Sequence, residues 1–333
     1  MTLADSLSRE DNDLRATEIL SRAKSLVTPA LQATTKRLGD ELGPVIDHHF
    51  LVGGKSVRAG LALLSANAAG ASDDVGLAGA LAIELVHNFS LIHDDIIDGD
   101  LERRHHPTVW ATFGVGQAII AGDALSTLAF QVLFEDTSPY RLAAATCLAN
   151  ATQAMIIGQA QDVASEQKAA LTVEECLSME AGKTGALLSC AASIGAILAG
   201  ASDDVVSALA DYGSHLGFAF QAVDDMLGVW GEASVTGKPV GNDLRLHKKT
   251  LPISIANSKG FEIFTAPEDH ELSDDEVADA MVFLDECGAR YETMELAERE
   301  LRAALDALTR VTLDDDASAK LAIIARYVVE RDQ

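Results

Sequence analysis

Apolar residues recur at helical spacing along almost the whole chain, and alternation with a period of two is scarce. Recurrence about every 3.6 residues is typical of α-helices that bury one face or all of their surface. The pattern predicts helices over residues 11–38, 57–69, 77–98, 118–134, 140–164, 172–183, 186–199, 204–227, 273–286, 291–308 and 317–331. Most of the seven prolines lie between these segments, as expected of a residue that interrupts helices. The chain is therefore predicted to be all-α.

Nothing in the sequence divides this helical pattern into separate domains. The 333 residues contain no repeat of solenoid length and no long stretch rich in serine, proline and glycine. We therefore expect one domain over residues 1–333, with residues 1–10 as a flexible N-terminus. The first 15 residues are acidic and lack the apolar stretch of a signal peptide. The longest uncharged stretch, residues 185–201, contains three glycines and two serines and is expected to be a buried helix, so no membrane span is predicted.

The composition is acidic, since 25 basic and 51 acidic residues give a formal charge of −26. Such a surface gains nothing from counterion release, so nucleic acid is excluded as a partner. The four cysteines show no CxxC spacing. They are interpreted as small buried residues of a protein in a reducing compartment, which predicts a cytoplasmic location.

Two acidic motifs each end an apolar helix. In the first, Asp94 and Asp98 share one helix face, whereas Asp95 points about 100° away. The second contains Asp224 and Asp225. Negative charge is unfavourable at a helix C-terminus, so these positions favour a compensating cation, and carboxylates with open water positions suit Mg²⁺. Two such helix ends can face each other across a cavity and hold metal ions from both sides.

The few basic residues cluster near these acids. Lys55 and Arg58 follow Gly53-Gly54 at the start of a helix, which is an anion-binding arrangement. The others are Arg103, Arg104, Lys183, Lys238, Arg245, Lys248 and Lys249. Together they indicate diphosphate binding. His87 lies about two turns before the first acidic motif and can reach the same cavity, while His93 has no partners for a zinc site and receives no role.

In this order the motifs resemble those of the polyprenyl synthetase family, the head-to-tail trans-isoprenyl diphosphate synthases. The matching segments are GGKSVR at 53–58, ELVHNFSLIHDDIIDGDLERRHHPT at 84–108, AGDAL at 121–125, GQAQD at 158–162, KTGAL at 183–187, and QAVDD at 221–225 followed by GKPVGNDLRLHKKTLP at 237–252. The resemblance implies an all-α fold of the isoprenoid synthase type I class, with about a dozen helices around a deep central cavity, usually as a homodimer. It also implies a transferase that uses Mg²⁺, three ions per site, to join isopentenyl diphosphate to an allylic diphosphate (dimethylallyl, geranyl or farnesyl).

The resemblance carries roles onto individual residues. It makes Asp94 and Asp98 the principal metal ligands with Asp95 in support, and Asp224 the ligand from the opposite side with Asp225 beside it. The isopentenyl diphosphate pocket corresponds to Lys55, Arg58, His87 and Arg104. The residues that hold the allylic diphosphate or face the developing cation correspond to Arg103, Lys183, Thr184, Gln221, Lys238 and Lys248. Of these, Lys183, Thr184 and Gln221 are the expected catalytic residues.

Three positions depart from the family pattern. Gly228 stands where a third aspartate is usual in the second acidic motif, which bears on metal affinity there. Ser56 replaces an arginine, so Lys55 and Arg58 remain as the anion-binding charges of this segment. His105 replaces the glycine usual after the arginine pair, with no evident consequence.

Two residues before the first acidic motif are expected to set product length. Phe89 and Ser90 lie just over one turn before Asp94, on or near its face of the helix. A phenyl ring there can close the cavity, and a single aromatic residue at this position resembles geranylgeranyl diphosphate synthases. The prediction is a C20 product, with farnesyl diphosphate (C15) or a longer chain as the alternative.

Two other classes of protein are weighed against this interpretation. A terpene cyclase takes one substrate, so the basic residues of an isopentenyl diphosphate pocket argue against it. A non-catalytic synthase subunit typically loses its aspartates, and here both pairs are present.

Overall fold

The computed structural model describes residues 8–51, 53–232, 239–261, 263 and 272–330. Within this part of the chain the backbone is almost entirely helical, and the only strands form one short antiparallel pair. The predicted all-α class is confirmed. The described residues form two compact units. The first lies within Met1–Thr152, Ser189–Ala210 and Leu308–Ile324, and the second within Gln153–Leu188, Asp211–Ala307 and Ala325–Gln333.

The helices follow one another with short connections. They are α1 (Arg9–Thr35), α2 (Gly39–Phe50), α3 (Val57–Ala68), α4 (Asp73–Ile97), α5 (Val109–Phe113), α6 (Val115–Leu133), α7 (Pro139–Glu166), α8 (Val173–Glu180), α9 (Ala186–Leu198), α10 (Asp203–Trp230), α11 (Asn242–Arg245), α12 (Leu251–Ser258), α13 (Asp274–Glu286), α14 (Ala289–Thr309) and α15 (Asp315–Val329). A 3₁₀ turn, Lys36–Leu38, joins α1 to α2, and a π-helical turn, Ala181–Gly185, joins α8 to α9. The strands β1 (Glu102–Arg103) and β2 (His106–Pro107) form a hairpin after α4.

α4 packs against α3 and α6 in the first unit. It begins after Ser72, and two aspartates in its first turn complement the helix dipole. It ends at Ile97, and Gly99 then adopts a left-handed conformation (φ 69°) that stops the helix. Gly79 allows α9 to approach, because a Cβ there would lie 2.9 Å from Ile194. This close packing fixes the helix whose C-terminal end carries the first acidic motif.

In the second unit, glycines let three helical segments approach closely. A Cβ on Gly158 of α7 would lie 2.3 Å from the Lys183 backbone nitrogen, and one on Gly217 of α10 would lie 2.7 Å from the Gly185 Cα atom. A larger residue at either position would push these segments apart. The π-helical turn that carries Lys183 and Thr184 therefore sits directly against both α7 and α10.

Three helical stretches among the described residues are long and apolar enough to cross a membrane by length and composition. They are Asp73–Ile97, Val115–Leu133 and Val173–Leu198. In the first and the last, more than half of the most apolar window is buried inside the protein, whereas the figure for Val115–Leu133 is 39%. Of the three, α6 therefore leaves the largest share of its apolar window uncovered.

The structure confirms most of the predicted helices, and it also contains α2, α5 and the β1–β2 hairpin, which the pattern does not predict. Gly43 and Pro44 interrupt the apolar period, so α2 is not predicted, yet the helix continues through Pro44. Residues 183–185, expected to join two helices, belong to the π-helical turn. The segment after Gly228 contains α11 and the start of α12, where Pro252 lies in the first turn and needs no N–H donor.

The N-terminal ends of α13 and α1 compare differently with the sequence pattern. A capping box opens α13, since Ser273 Oγ accepts from the Glu276 N–H and the Glu276 carboxylate accepts from the Ser273 N–H. α1 begins at Arg9, within the stretch 1–10 expected to be flexible, and residues 1–7 lie outside the described part of the chain.

Candidate active site

The first acidic motif lies at the C-terminal end of α4. Asp98 continues the last turn of the helix, and its backbone N–H donates to the Asp94 carbonyl oxygen at 2.8 Å. The two side chains therefore share a helix face, as their spacing predicts. Asp98 is exposed and Asp94 is half-buried. Both carboxylates offer hard oxygen donors within reach of solvent, which fits Mg²⁺.

Asp95 has a different environment. It is 1% exposed, its Oδ1 accepts a hydrogen bond from Arg103 Nε at 2.8 Å, and Arg103 Nη2 forms an ion pair with the same oxygen at 2.7 Å. Burial raises the pKa of the Asp95 carboxyl, and the hydrogen bond from Arg103 opposes that rise. The pair fastens the β1–β2 hairpin to the end of α4. The Asp95 side chain thus pairs with Arg103 and does not lie on the helix face that carries Asp94 and Asp98.

Two residues of the predicted isopentenyl diphosphate pocket meet between α3 and α4. Arg58 Nη1 lies 3.4 Å from His87 Nε2. Arginine can only donate, so this contact requires Nε2 to accept and places the ring proton on Nδ1. Burial, followed by the charge of Arg58, holds the pKa of His87 well below its ordinary value. His87 is therefore a neutral side chain beside a permanent cation.

Glu84 completes this group, although the sequence patterns do not single it out. Its Oε1 accepts from the Ala59 N–H at 3.1 Å, in the first turn of α3. Burial raises the pKa of Glu84, while the charge of Arg58 and the Ala59 hydrogen bond lower it. The Ser56 side chain makes no capping hydrogen bond to α3. A carboxylate from α4 therefore satisfies a backbone donor that an N-cap side chain usually takes.

Arg104 binds the loop that precedes α3. Its Nη1 donates to the Gly53 carbonyl oxygen at 2.6 Å, and a Cβ on Gly54 would lie 3.4 Å from the same nitrogen. Lys55 is exposed in this loop. The structure therefore brings the second arginine of the hairpin next to the loop that carries Lys55.

A hydrogen-bonded chain links three of the predicted residues in the second unit. Thr184 Oγ1 donates to Gln221 Oε1 at 3.0 Å, and Gln221 Nε2 donates to Asp225 Oδ1 at 2.9 Å. Asp225 Oδ2 accepts from the Leu251 N–H at 2.8 Å. Both oxygens of this buried carboxylate are therefore engaged by protein donors, whereas the neighbouring Asp224 is exposed.

Asp225 also lies in a buried group with Glu180 and Cys176, whose ligand atoms are within 4.8 Å of one another. Burial raises the pKa of Asp225 to about 6. Burial and the nearby Asp225 raise the pKa of Glu180 well above its ordinary value. These shifts favour a proton shared by the two carboxyl groups. The sequence patterns do not single out Glu180, because a lone acid in a helix carries no motif.

The predicted lysines have three different placements. Lys183 Nζ lies 2.5 Å from Asp162 Oδ2 of α7, so the lysine of the π-helical turn is held by an acid of the GQAQD segment. Lys248 is exposed, and its Nζ is 4.0 Å from Asp243 Oδ1. Lys238 lies outside the described residues.

Asp243 accounts for the glycine in the second acidic motif. A Cβ on Gly228 would lie 1.9 Å from Asp243 Oδ2. The Asp243 carboxylate therefore occupies the space that a side chain at position 228 would need. In the sequence Asp243 is only one residue of the matching segment 237–252, because sequence order cannot show that it returns to α10.

The two residues expected to set product length differ in burial. Phe89 is 8% exposed, and its ring contacts the His93 ring edge to face, with centroids 5.2 Å apart and planes at 83°. Ser90 is half-buried, and its Oγ donates to the His87 carbonyl oxygen at 2.9 Å. The serine hydroxyl is thus satisfied within its own helix.

Comparison with known proteins identifies the family. Residues 40–274, more than two thirds of the chain, match the polyprenyl synthetase family. The (2E,6E)-farnesyl diphosphate synthase of Mycobacterium tuberculosis is 40% identical, over 95% of this chain and 94% of its own length. The geranylgeranyl diphosphate synthase of the same organism is 37% identical, over 92% and 93%. The protein belongs to the polyprenyl synthetase family.

Solved structures agree with this assignment. A polyprenyl synthetase from Streptomyces coelicolor A3(2) has a TM-score of 0.90 at 42% identity, covering 94% of this chain and 99% of that one. A geranylgeranyl pyrophosphate synthase from Corynebacterium glutamicum, complexed with isoprenyl diphosphate and magnesium, has a TM-score of 0.81 at 28% identity, covering 96% and 99%. The chain is accordingly a short-chain trans-prenyl diphosphate synthase. Its relatives include farnesyl and geranylgeranyl synthases alike, so similarity does not fix the product.

Proposed function

We propose that this protein is a magnesium-dependent geranylgeranyl diphosphate synthase that condenses isopentenyl diphosphate with an allylic diphosphate. The observation that carries the proposal is the order of side chains along the last turns of α4. A buried phenyl ring, Phe89, is followed by the accessible carboxylates of Asp94 and Asp98. The same helix presents His87 to Arg58 about two turns before Asp94.

The metal ligands we propose are Asp94 and Asp98 at the end of α4 and Asp224 in α10. Each of these carboxylates reaches solvent, and oxygen donors of this type suit Mg²⁺. When bound, magnesium supplies Lewis-acid neutralisation of the diphosphate that leaves. Asp95 and Asp225 support this set, because the first holds Arg103 and the second holds Gln221.

The proposed isopentenyl diphosphate pocket consists of Lys55, Arg58, His87 and Arg104. The three cations provide charge-assisted hydrogen bonds to a diphosphate. The neutral His87 adds an Nδ1–H donor, since its Nε2 faces Arg58. This pocket gives the second substrate its own anchor, which a terpene cyclase does not need.

The residues we propose for binding the allylic diphosphate are Arg103, Lys183, Thr184, Gln221, Lys238 and Lys248. The lysines and the arginine balance the charge of the allylic diphosphate. Thr184 and Gln221 hold each other in one orientation, so their oxygen dipoles are fixed before the cation forms, and preorganised dipoles stabilise developing charge without reorganisation.

The reaction begins when the allylic C–O bond breaks and its electron pair leaves with the diphosphate. The resulting allylic cation is attacked by the double bond of isopentenyl diphosphate, and a new C–C bond forms. A proton is then lost from the adjacent carbon to the departing diphosphate, which regenerates a double bond in the longer chain. Positioning of the two substrates supplies much of the rate, and apolar helix walls keep water from the cation.

A homodimer in the cytoplasm is part of the proposal. Val115, Ile119 and Ile120 of α6 are exposed, and the first two are one turn apart on the same face. An uncovered apolar helix face of this kind fits burial against a second copy of the chain. The free cysteines fit a reducing compartment.

The direct test is incorporation of labelled isopentenyl diphosphate with dimethylallyl diphosphate, with and without Mg²⁺. Magnesium-dependent formation of linear prenyl diphosphates supports the proposal. A cyclic hydrocarbon from an allylic diphosphate alone would indicate a terpene cyclase. No product from the chain alone, with product on addition of a partner subunit, would indicate a non-catalytic subunit.

The Phe89 ring is the proposed floor, the residue that closes the cavity and stops chain growth, and this role has its own test. Phe89→Ala removes the ring and is expected to lengthen the product beyond C20, whereas Ser90→Phe adds a ring and is expected to shorten it towards C15. Chromatography of the dephosphorylated products measures both. An unchanged product in Phe89→Ala means that other residues form the floor. A C15 product from the wild type would assign the farnesyl activity of the 40% identical relative.

A further inference from the structure

His93 forms an aromatic pair with the proposed floor residue. The two residues are one turn apart on α4, and their rings meet edge to face at a centroid distance of 5.2 Å. Side chains on a helix lean towards its N-terminus, so the His93 imidazole lies over Phe89. Edge-to-face contacts of this kind are favourable beyond the area that they bury. Phe89 therefore packs against one side of the His93 ring.

The backbone of α6 contacts the other side of the His93 ring. Its Nε2 lies 3.1 Å from the Ile119 carbonyl oxygen, a distance at which the tautomer protonated on Nε2 donates a hydrogen bond. A Cβ on Gly122 would lie 2.2 Å from Nε2 and 2.4 Å from Cδ2. The imidazole therefore fills the space that any side chain at position 122 would need.

We infer that His93, seated against Gly122, is a positioning residue for product length. The imidazole is held by α6 on one side and restricts the Phe89 ring on the other, so the ring keeps one orientation across the base of the substrate cavity. His93 does not act on the reacting atoms. The inference rests on the proposed function, in which Phe89 is the floor that stops chain growth.

Ordinary core packing makes a different prediction from this inference. If His93 only fills space between α4 and α6, its removal lowers the melting temperature and leaves the ratio of products unchanged. If it positions Phe89, its removal shifts the products towards longer chains, in the direction of Phe89→Ala. Product ratio and melting temperature are therefore measured on the same variants.

Four variants test the inference with geranyl diphosphate and isopentenyl diphosphate as substrates. His93→Ala removes the support from α4, and Gly122→Ala displaces the imidazole from the side of α6 without removing any group of α4. Gly116→Ala is the matched control, since it makes the same change in the same helix where a Cβ meets nothing within 4 Å. Phe89→Ala tests whether the Phe89 ring itself limits product length.

We expect His93→Ala and Gly122→Ala to raise the ratio of longer product to C20 product by roughly two- to tenfold, the bias that one aromatic pair of this geometry can exert. Gly116→Ala is expected to keep the wild-type ratio. Adding His93→Ala to Phe89→Ala is expected to lengthen the product no further, because His93 acts through the ring that is already absent.

The outcomes separate the inference from the function on which it rests. Wild-type ratios in both His93→Ala and Gly122→Ala, beside a longer product in Phe89→Ala, overturn the role of His93 and leave the floor intact. An additional lengthening in the double variant also overturns it. An unchanged product in Phe89→Ala overturns the floor and the inference together. If His93→Ala does not fold, Gly122→Ala decides the question.

Discussion

Adjacent aspartates in the two acidic motifs have opposite surroundings. Asp94 and Asp224 reach solvent, whereas Asp95 and Asp225 are buried and accept hydrogen bonds from protein donors. A carboxylate whose lone pairs are taken by such donors has few left for a metal ion. Spacing on a helix predicts that Asp95 turns away from Asp94, but it cannot predict the donor that meets it, because Arg103 returns from a hairpin that the apolar pattern does not reveal.

Substitutions of the first motif should separate catalysis from stability. Asp98→Ala is expected to lower kcat about 100-fold or more with little change in melting temperature, because a lost transition-state contact of this type costs on the order of 3 kcal/mol. Asp95→Asn is expected to cost roughly 2 kcal/mol of stability, because the amide oxygen still accepts from Arg103 but no longer carries the charge that pairs with the guanidinium. Initial rates and thermal unfolding of the two variants check this. Near-normal turnover in Asp98→Ala would contradict the metal assignment.

Replacing Gly228 by the aspartate that is usual in the family is expected to destabilise the protein. Gly228→Asp would place a Cβ 1.9 Å from Asp243 Oδ2 and add a second negative charge beside it, so we expect a lower melting temperature and no gain in magnesium affinity. Gly43→Asp is the control for an aspartate in a helix, since a Cβ there meets nothing within 4 Å. The prediction fails if Gly228→Asp keeps its melting temperature and needs about tenfold less Mg²⁺, a change of about 1.4 kcal/mol.

At the scale of elements, α4 carries the proposed functions on successive turns. Glu84 supports α3, His87 contacts Arg58, Phe89 is the proposed floor, and the helix ends at the acidic motif. The apolar period predicts this helix and its end. It does not show the role of Glu84, since the donor that Glu84 satisfies belongs to another helix. α2 is missed for a related reason, as packing overrides the local preference of Gly43 and Pro44.

The α3–α4 contact carries residues of the proposed isopentenyl diphosphate pocket, so substitutions there should distinguish this pocket from the proposed allylic site. Arg58→Ala is expected to raise the KM for isopentenyl diphosphate at least about tenfold, since it removes a charge-assisted hydrogen bond. Glu84→Gln should raise the same KM less, because it weakens the support of Arg58 and of the first turn of α3. Lys248→Ala should act mainly on the allylic diphosphate, and Glu10→Gln, exposed in α1, should change neither constant. Steady-state kinetics with each substrate varied in turn test this, and equal effects on both substrates would refute two pockets.

At the scale of the whole molecule, the apolar period predicts the helical class, and the ordered motifs predict the family. The sequence could not show which distant residues meet. Lys183 and Asp162 are 21 positions apart and form an ion pair, and Gly228 faces Asp243 across a segment with few apolar residues. These contacts depend on which earlier segment the chain packs against after each helix, and no local sequence pattern encodes that.

The exposed apolar face of α6 leads to a prediction about assembly. Ile120 is 52% exposed, and Ile120→Glu combined with Val115→Glu would place two charges in a contact between copies. We expect sedimentation velocity to give a species of twice the 35.1 kDa chain mass for the wild type and a monomer for the double variant. Tyr291→Glu, at an exposed position of α14, is the control. A wild-type monomer at micromolar concentration would contradict the proposed dimer.

We propose that this chain extends allylic diphosphates and stops at C20. The most direct measurement is incubation with farnesyl diphosphate, labelled isopentenyl diphosphate and Mg²⁺, followed by chromatography of the dephosphorylated product. We predict a labelled C20 alcohol as the main product and none when Mg²⁺ is chelated. A protein that extends geranyl diphosphate but leaves farnesyl diphosphate unlabelled would be a farnesyl synthase, and that result would contradict the account of the floor at Phe89.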